Sequence, residues 1–129
     1  MVVRRAMLTE QPCRQVRDDF ARRWMSDDYM DLIIWFEADG RVHGFQLCYD
    51  KTGEERALTW VATRGFSHHA VESGDTNPNA NCTPILVADG HMPVEAVSRE
   101  FTRRSAELEP EIRKLVTARL DEYAVQQHA

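Results

Sequence analysis

Residues 31–63, DLIIWFEADGRVHGFQLCYDKTGEERALTWVAT, decide the fold. Asp39-Gly40 lies between two runs rich in aromatic and β-branched residues, the strongest short-range hairpin signal. With these two residues as a two-residue turn, counting outward sets Met30 opposite Tyr49, Leu32 opposite Leu47, Ile34 opposite Phe45, and Phe36 opposite His43. That face is almost wholly apolar, and a slip of one residue would destroy the match. The other face pairs Asp31 with Cys48, Ile33 with Gln46, Trp35 with Gly44 and Glu37 with Val42. Trp35 across Gly44 suggests a missing side chain that makes room for an indole. A second turn at Lys51-Thr52-Gly53-Glu54 brings Leu47 against Leu58 and Phe45 against Trp60, extending the apolar face into a third strand.

Downstream, Phe66–Glu72 reads as a further strand, 73–83 as a turn-rich loop, and 83–88 as a short strand that Pro84 confines to an edge or a strand start. Asp89-Gly90 is another turn. Pro93 opens a helical region in which Val94, Val97, Phe101, Leu108, Ile112, Leu115, Val116, Leu120 and Tyr123 make an apolar stripe. Glu95–Arg99, Glu100–Arg104 and Glu109–Arg113 are correctly ordered i,i+4 pairs for its outer surface. Unbroken, residues 94–125 would span roughly 48 Å, too long for a domain of this size, so Pro110 is expected to break the helix. Upstream, Thr9-Glu10-Gln11-Pro12 resembles a helix start. Cys13, Val16, Phe20 and Trp24 recur at helical spacing, with Asp18–Arg22 and Asp19–Arg23 as supporting ion pairs. The expected architecture is a single α+β domain over 1–129. It comprises an antiparallel β-meander of about four to five strands, C-terminal helices packed on one face and a short N-terminal helix.

The chain has 129 residues, 43% of them hydrophobic, which suits a globular domain. No apolar run approaches the roughly 18 residues needed to cross a bilayer, and no signal-like segment opens the chain, so a cytoplasmic, non-membrane protein is expected. A net charge of −5 argues against a general nucleic-acid partner. The charge is uneven: residues 1–25 carry six arginines against three acids, favouring a solvated basic face over a phosphate-binding surface. Cys13, Cys48 and Cys82 form neither a C-x-x-C pair nor an even disulfide set, so idle or buried thiols are the expectation.

Chemistry is harder to find. The glycines match neither the dinucleotide fingerprint nor a phosphate loop, and there is no G-x-S-x-G elbow or H-E-x-x-H pair. No cofactor is indicated. The candidate donors near the long loop are His68, His69, Glu72, Asp75, Cys82 and His91. Of these, His68, His69 and Asp75 are the catalytic candidates, and His68, His69, Asp75, Cys82 and His91 the metal candidates. If their segment is extended, the two adjacent histidines point to opposite faces and cannot share one ion. The mixed sheet face offers Asp31, Trp35, Gln46 and Thr59 as a small-molecule site, against the plainer reading of a solvated or helix-covered face. Cys48 as a nucleophile lacks a base, since His43 lies on the opposite face. Trp24, Met25, Tyr29 and Met30 form an aromatic and methionine cluster of the kind enriched at interfaces. Two functional expectations follow. The preferred one is a non-catalytic binding or protein-interaction module that forms a homodimer; the alternative is a small His-dependent enzyme, with or without a metal, using residues 66–91.

Overall fold

A computed structural model describes residues 7–15, 20–72, 85–88 and 92–127, with the backbone path alone for 71–72 and 85–88. Its strands are β1 (Thr9–Gln11), β2 (Ala21–Ser26), β3 (Met30–Phe36), β4 (Val42–Tyr49), β5 (Arg56–Val61), β6 (Gly65–Glu72) and β7 (Ile85–Ala88). Two helices follow, α1 (Val94–Arg104) and α2 (Pro110–Gln127). All strands join one antiparallel sheet in chain order. The α+β class and the C-terminal helices agree with the sequence reading, but the strand count does not. Six strands have four or more residues, and three-residue β1 adds a seventh at the edge.

The β3–β4 register is the one counted from Asp39-Gly40, from Met30 opposite Tyr49 to Trp35 opposite Gly44. The turn that sets it is different. Glu37 N–H donates to the Arg41 carbonyl at 2.7 Å and Gly40 N–H to the Glu37 carbonyl at 2.9 Å, so three residues, 38–40, reverse the chain. Gly40 takes the positive φ of 90° that such a loop requires. A three-residue loop by itself would slide β4 by one position and turn its apolar side outward. A bulge restores the match: Phe36 pairs with Val42, not with His43, and His43 becomes the extra residue on β4. Gly44 also has a different reason from the one expected. A Cβ there would sit 2.4 Å from the Trp60 carbonyl oxygen, so the backbone of β5, not the Trp35 indole, demands glycine. The β4–β5 pairing is as anticipated, with Leu47 opposite Leu58 and Phe45 opposite Trp60.

Met30, Leu32, Ile34, Phe45, Leu47 and Leu58 are each fully buried, in one cluster with Val97, Phe101, Val116 and Leu120 of the helices. The helices therefore cover the apolar face, and most of the driving force for folding resides there. Glu109-Pro110 breaks the helical region as expected: Leu108 N–H donates to the Ser105 carbonyl across the gap, and Pro110 becomes the first residue of α2, where a missing N–H costs nothing. Among the described residues, the large hydrophobics left exposed are Phe20 and Val125. The apolar helical stripe and the Met25/Met30 pair, which had suggested an interface, are part of the chain's own core.

The N-terminal helix is not formed. Thr9–Gln11 and Ala21–Ser26 are strands, and Val16, Asp18 and Asp19 lie outside the described residues. The apolar spacing was ambiguous for a physical reason. A separation of four residues is one helical turn but also two full strand periods, so Phe20 and Trp24 share one side of an extended chain equally well. Pairing decides between the two, because β2 satisfies the backbone groups along the open edge of β3, from Ala21 opposite Phe36 to Ser26 opposite Asp31. The reversal between them is a carboxylate-capped turn in which Asp27 Oδ1 accepts N–H bonds from Tyr29 (2.7 Å) and Met30 (2.6 Å).

Two arginines tie this added hairpin to the helices. Arg104, expected on the outer surface, is instead buried. It donates from Nη1 to Asp27 Oδ2 (3.0 Å) and Asp28 Oδ1 (2.7 Å) and from Nε to Glu100 Oε1 (2.9 Å), with its guanidinium 4.8 Å from the centre of the Tyr29 ring. Of the three expected i,i+4 pairs, Glu100–Arg104 is the one that forms. Glu109 turns away from Arg113 and binds Arg23, which also grips Glu10 through Nε (2.9 Å) and Nη2 (2.7 Å). The Arg23 hydrogen bonds hold the Glu10 and Glu109 carboxyls below their ordinary value of 4.5. A carboxyl whose folded pKa is lowered contributes stability above its unfolded value, and that contribution disappears as pH falls through the folded value. Wild type should therefore lose stability below about pH 4.5 more steeply than Arg23→Ala, by no more than about 1 kcal/mol per screened pair. Urea midpoints between about pH 5 and pH 3 measure this; parallel acid limbs would contradict it.

Candidate functional site

The sheet face away from the helices is where polar side chains converge. Strand alternation and the ladder pairings line up two rows across it. One runs Trp24, Ile33, Gln46, Thr59, Ser67; the other runs Ser26, Asp31, Cys48, Ala57, His69. The face is not an open, wet surface, since Ile33, Gln46, Cys48 and Ala57 are all buried. Buried polar groups need partners, and most find them within the face. Thr59 Oγ1 donates to Gln46 Oε1 at 3.3 Å, and Gln46 Nε2 lies 3.5 Å from Cys48 Sγ. Trp24 Nε1 donates to Asp31 Oδ1 at 3.0 Å.

Of the four ligand candidates, Asp31, Gln46 and Thr59 thus share one face, Asp31 bonded to Trp24 and Gln46 bonded to Thr59. Trp35 stands one row along, half-exposed between Arg22 and Gly44.

Lys51 closes one end of the strip. Its ammonium donates to Ser26 Oγ (3.0 Å), the Asp27 carbonyl (2.8 Å) and Asp31 Oδ1 (3.2 Å). Asp50 adopts a positive φ of 59° just before it, and Lys51 N–H reaches the Tyr29 carbonyl, which draws the β4–β5 loop onto the β2–β3 turn. Burial, reinforced by the Asp31 charge and opposed by Lys51, pushes the Glu55 carboxyl above its ordinary value. The Cys48 thiol is pushed far up by burial, against the weaker opposing effect of the Gln46 amide. A thiol in that setting stays protonated and is a poor nucleophile.

The adjacent histidines of β6 do point to opposite faces. His68 is buried on the helix side, where its Nε2 and the Tyr49 hydroxyl share a hydrogen bond of 2.6 Å. His69 lies on the polar face opposite Ala57, with a buried Nδ1 that has no hydrogen-bond partner. Cys48 is two strand spacings from His69, roughly 9.5 Å, beyond the reach of a direct thiol–imidazole bond. Among the described residues no group of three or more His, Cys, Asp or Glu side chains is placed to hold a metal ion. Asp75, Cys82 and His91, and the loop at 73–83 with the Asp89-Gly90 turn, lie outside the described residues. Cys13 is disulfide-bonded, against the expectation of idle thiols, while Cys48 is a free one.

Sequence reasoning missed Trp24, Lys51 and Glu55. The helical spacing places Trp24 on a helix and the turn signal places Lys51 in a loop, while nothing in the pattern singles out Glu55. The overlooked signal for Lys51 was its position one residue after Asp50 in a tight loop facing the Ser26-Asp27-Asp28 turn. No helix among the described residues is long and apolar enough to cross a membrane. Comparison with protein-family models, curated proteins and solved structures finds no match.

Proposed function

We propose that this chain is a non-catalytic binding module whose polar sheet face receives a small hydrogen-bonding ligand at His69. The observation that carries the reading is an open valence at His69 beside hydrogen-bonded polar side chains. Asp31 is bound by Trp24 and Lys51, and Gln46 by Thr59, while His69 Nδ1 is buried without a hydrogen-bond partner. A buried polar atom without a partner is costly, and a ligand that supplies one hydrogen bond removes that cost. Fixed partners and a protonated Cys48 thiol suit recognition better than bond making.

A thermal-shift screen of neutral amides and heterocycles tests it. At least one compound should raise the melting temperature saturably by several degrees in wild type and not in His69→Phe, which keeps ring volume but removes both nitrogens. Equal stabilisation of the variant would overturn the site, and a turnover activity abolished by His69→Phe would favour the histidine-dependent enzyme instead. Self-association has less support, because Met25, Met30 and the apolar helical stripe that suggested it are packed in the core. The Cys13 disulfide fits an oxidising compartment better than the cytoplasm.

A further inference from the structure

The helical hairpin carries a charged groove that plays no part in the polar sheet face. Thr102 and Ser105 from the α1 end and Arg113, Lys114, Thr117 and Asp121 of α2 line a groove of about 510 Å3. The sequence places Glu109 four residues before Arg113, the order that favours an ion pair. Glu109 is held by Arg23 instead. Arg113 makes no ion pair among the described residues, and its Nε is buried without a hydrogen-bond partner. Lys114, exposed beside it, makes none either. A partly desolvated guanidinium is poorly screened and attracts an anion more strongly than a fully hydrated one. Arg113 and Lys114 thus concentrate positive charge at one end of the groove, with the hydroxyls of Thr102 and Thr117 as further donors. Asp121, the acidic residue of the lining, lies two helical turns beyond Lys114, roughly 10 Å along α2, at the far end of the groove.

We propose that this groove is an anion site for the phosphate group of a small ligand, held by Arg113 and Lys114. Phosphate matches the donor set: a guanidinium offers paired N–H groups to two oxygens, and an ammonium adds a point charge. The proposal stands independently of the His69 reading.

Titration of the full chain with inorganic phosphate at low ionic strength, followed by calorimetry, is the test. Saturable binding is expected, weakening as salt is added and falling by about tenfold in Lys114→Gln, the loss of one charge-assisted hydrogen-bonding group. Arg113→Gln should weaken it at least as much, and His69→Phe should leave it unchanged. Phosphoethanolamine, whose ammonium can reach toward Asp121, should bind no more weakly than inorganic phosphate. Absence of saturable phosphate binding overturns the proposal, as does binding that Lys114→Gln and Arg113→Gln leave intact. Because Lys114 is exposed on the helix surface, its variant keeps the test decisive even if Arg113→Gln fails to fold.

Discussion

Replacing Arg104 with methionine is expected to destabilise the protein by about 3–5 kcal/mol, the usual consequence of removing one partner from a buried ion pair. The Asp27 side chain is 0% exposed and that of Arg104 is 11% exposed, so water can replace little of what is lost. Methionine preserves most of the aliphatic stem, so the change reports the charge and not a cavity. Asp27 Oδ1 would keep the Tyr29 and Met30 N–H groups, but Oδ2 would face the α1 end with no cation. The cost should fall when Asp27→Asn is added to Arg104→Met, because the double variant no longer buries an unpaired carboxylate. Urea unfolding of the three proteins measures this. A single-variant cost under about 1 kcal/mol would show that the pair behaves as a surface contact.

Phe45→Ala should cost a comparable amount, about 3–5 kcal/mol, through lost transfer energy and the cavity left behind. Phe45 is fully buried, sits between Ile34 and Trp60 in the ladder, and packs its ring 5.8 Å from that of Trp60 beneath the helices. Trp35→Ala, one strand over but on the polar and less enclosed face, should cost clearly less. Denaturant midpoints for the pair rank the two faces. Equal costs, or a larger one for Trp35, would mean that the helix-covered face is not the principal core.

The sheet was legible where hydrophobic period and turn chemistry agreed. From Met30 to Trp60 the alternation of large apolar residues allows one register, and the structure adopts it even though the turn has three residues and needs a bulge at His43 to compensate. Pro110 was equally plain, because a proline cannot continue the helix through Glu109. The N-terminal strands were not legible, since a four-residue spacing fits both periods and the choice rests on a distant open edge of β3. Arg104 and Arg23 were misjudged for a related reason. Local i,i+4 spacing marked them as helix-surface or helix-pair residues, whereas their partners Asp27, Asp28 and Glu109 are 77, 76 and 86 positions away. The polar strip was half visible. Strand alternation placed Asp31, Gln46 and Thr59 together, but Lys51 joins them only because Asp50 turns the loop back over the β2–β3 turn.

Ile33 and Ile34 are neighbours in the chain and face opposite sides of the sheet, which makes their methyl groups the most direct probes of the fold. In a methyl-labelled sample, nuclear Overhauser contacts should connect Ile34, Leu32 and Leu47 with Val97, Val116 and Leu120, all within one buried cluster. Ile33 should show none to either helix. Contacts from Ile33 to Val116 or Leu120, with Ile34 silent, would place the helices on the other face and contradict this account of the core, the polar strip and the site at His69.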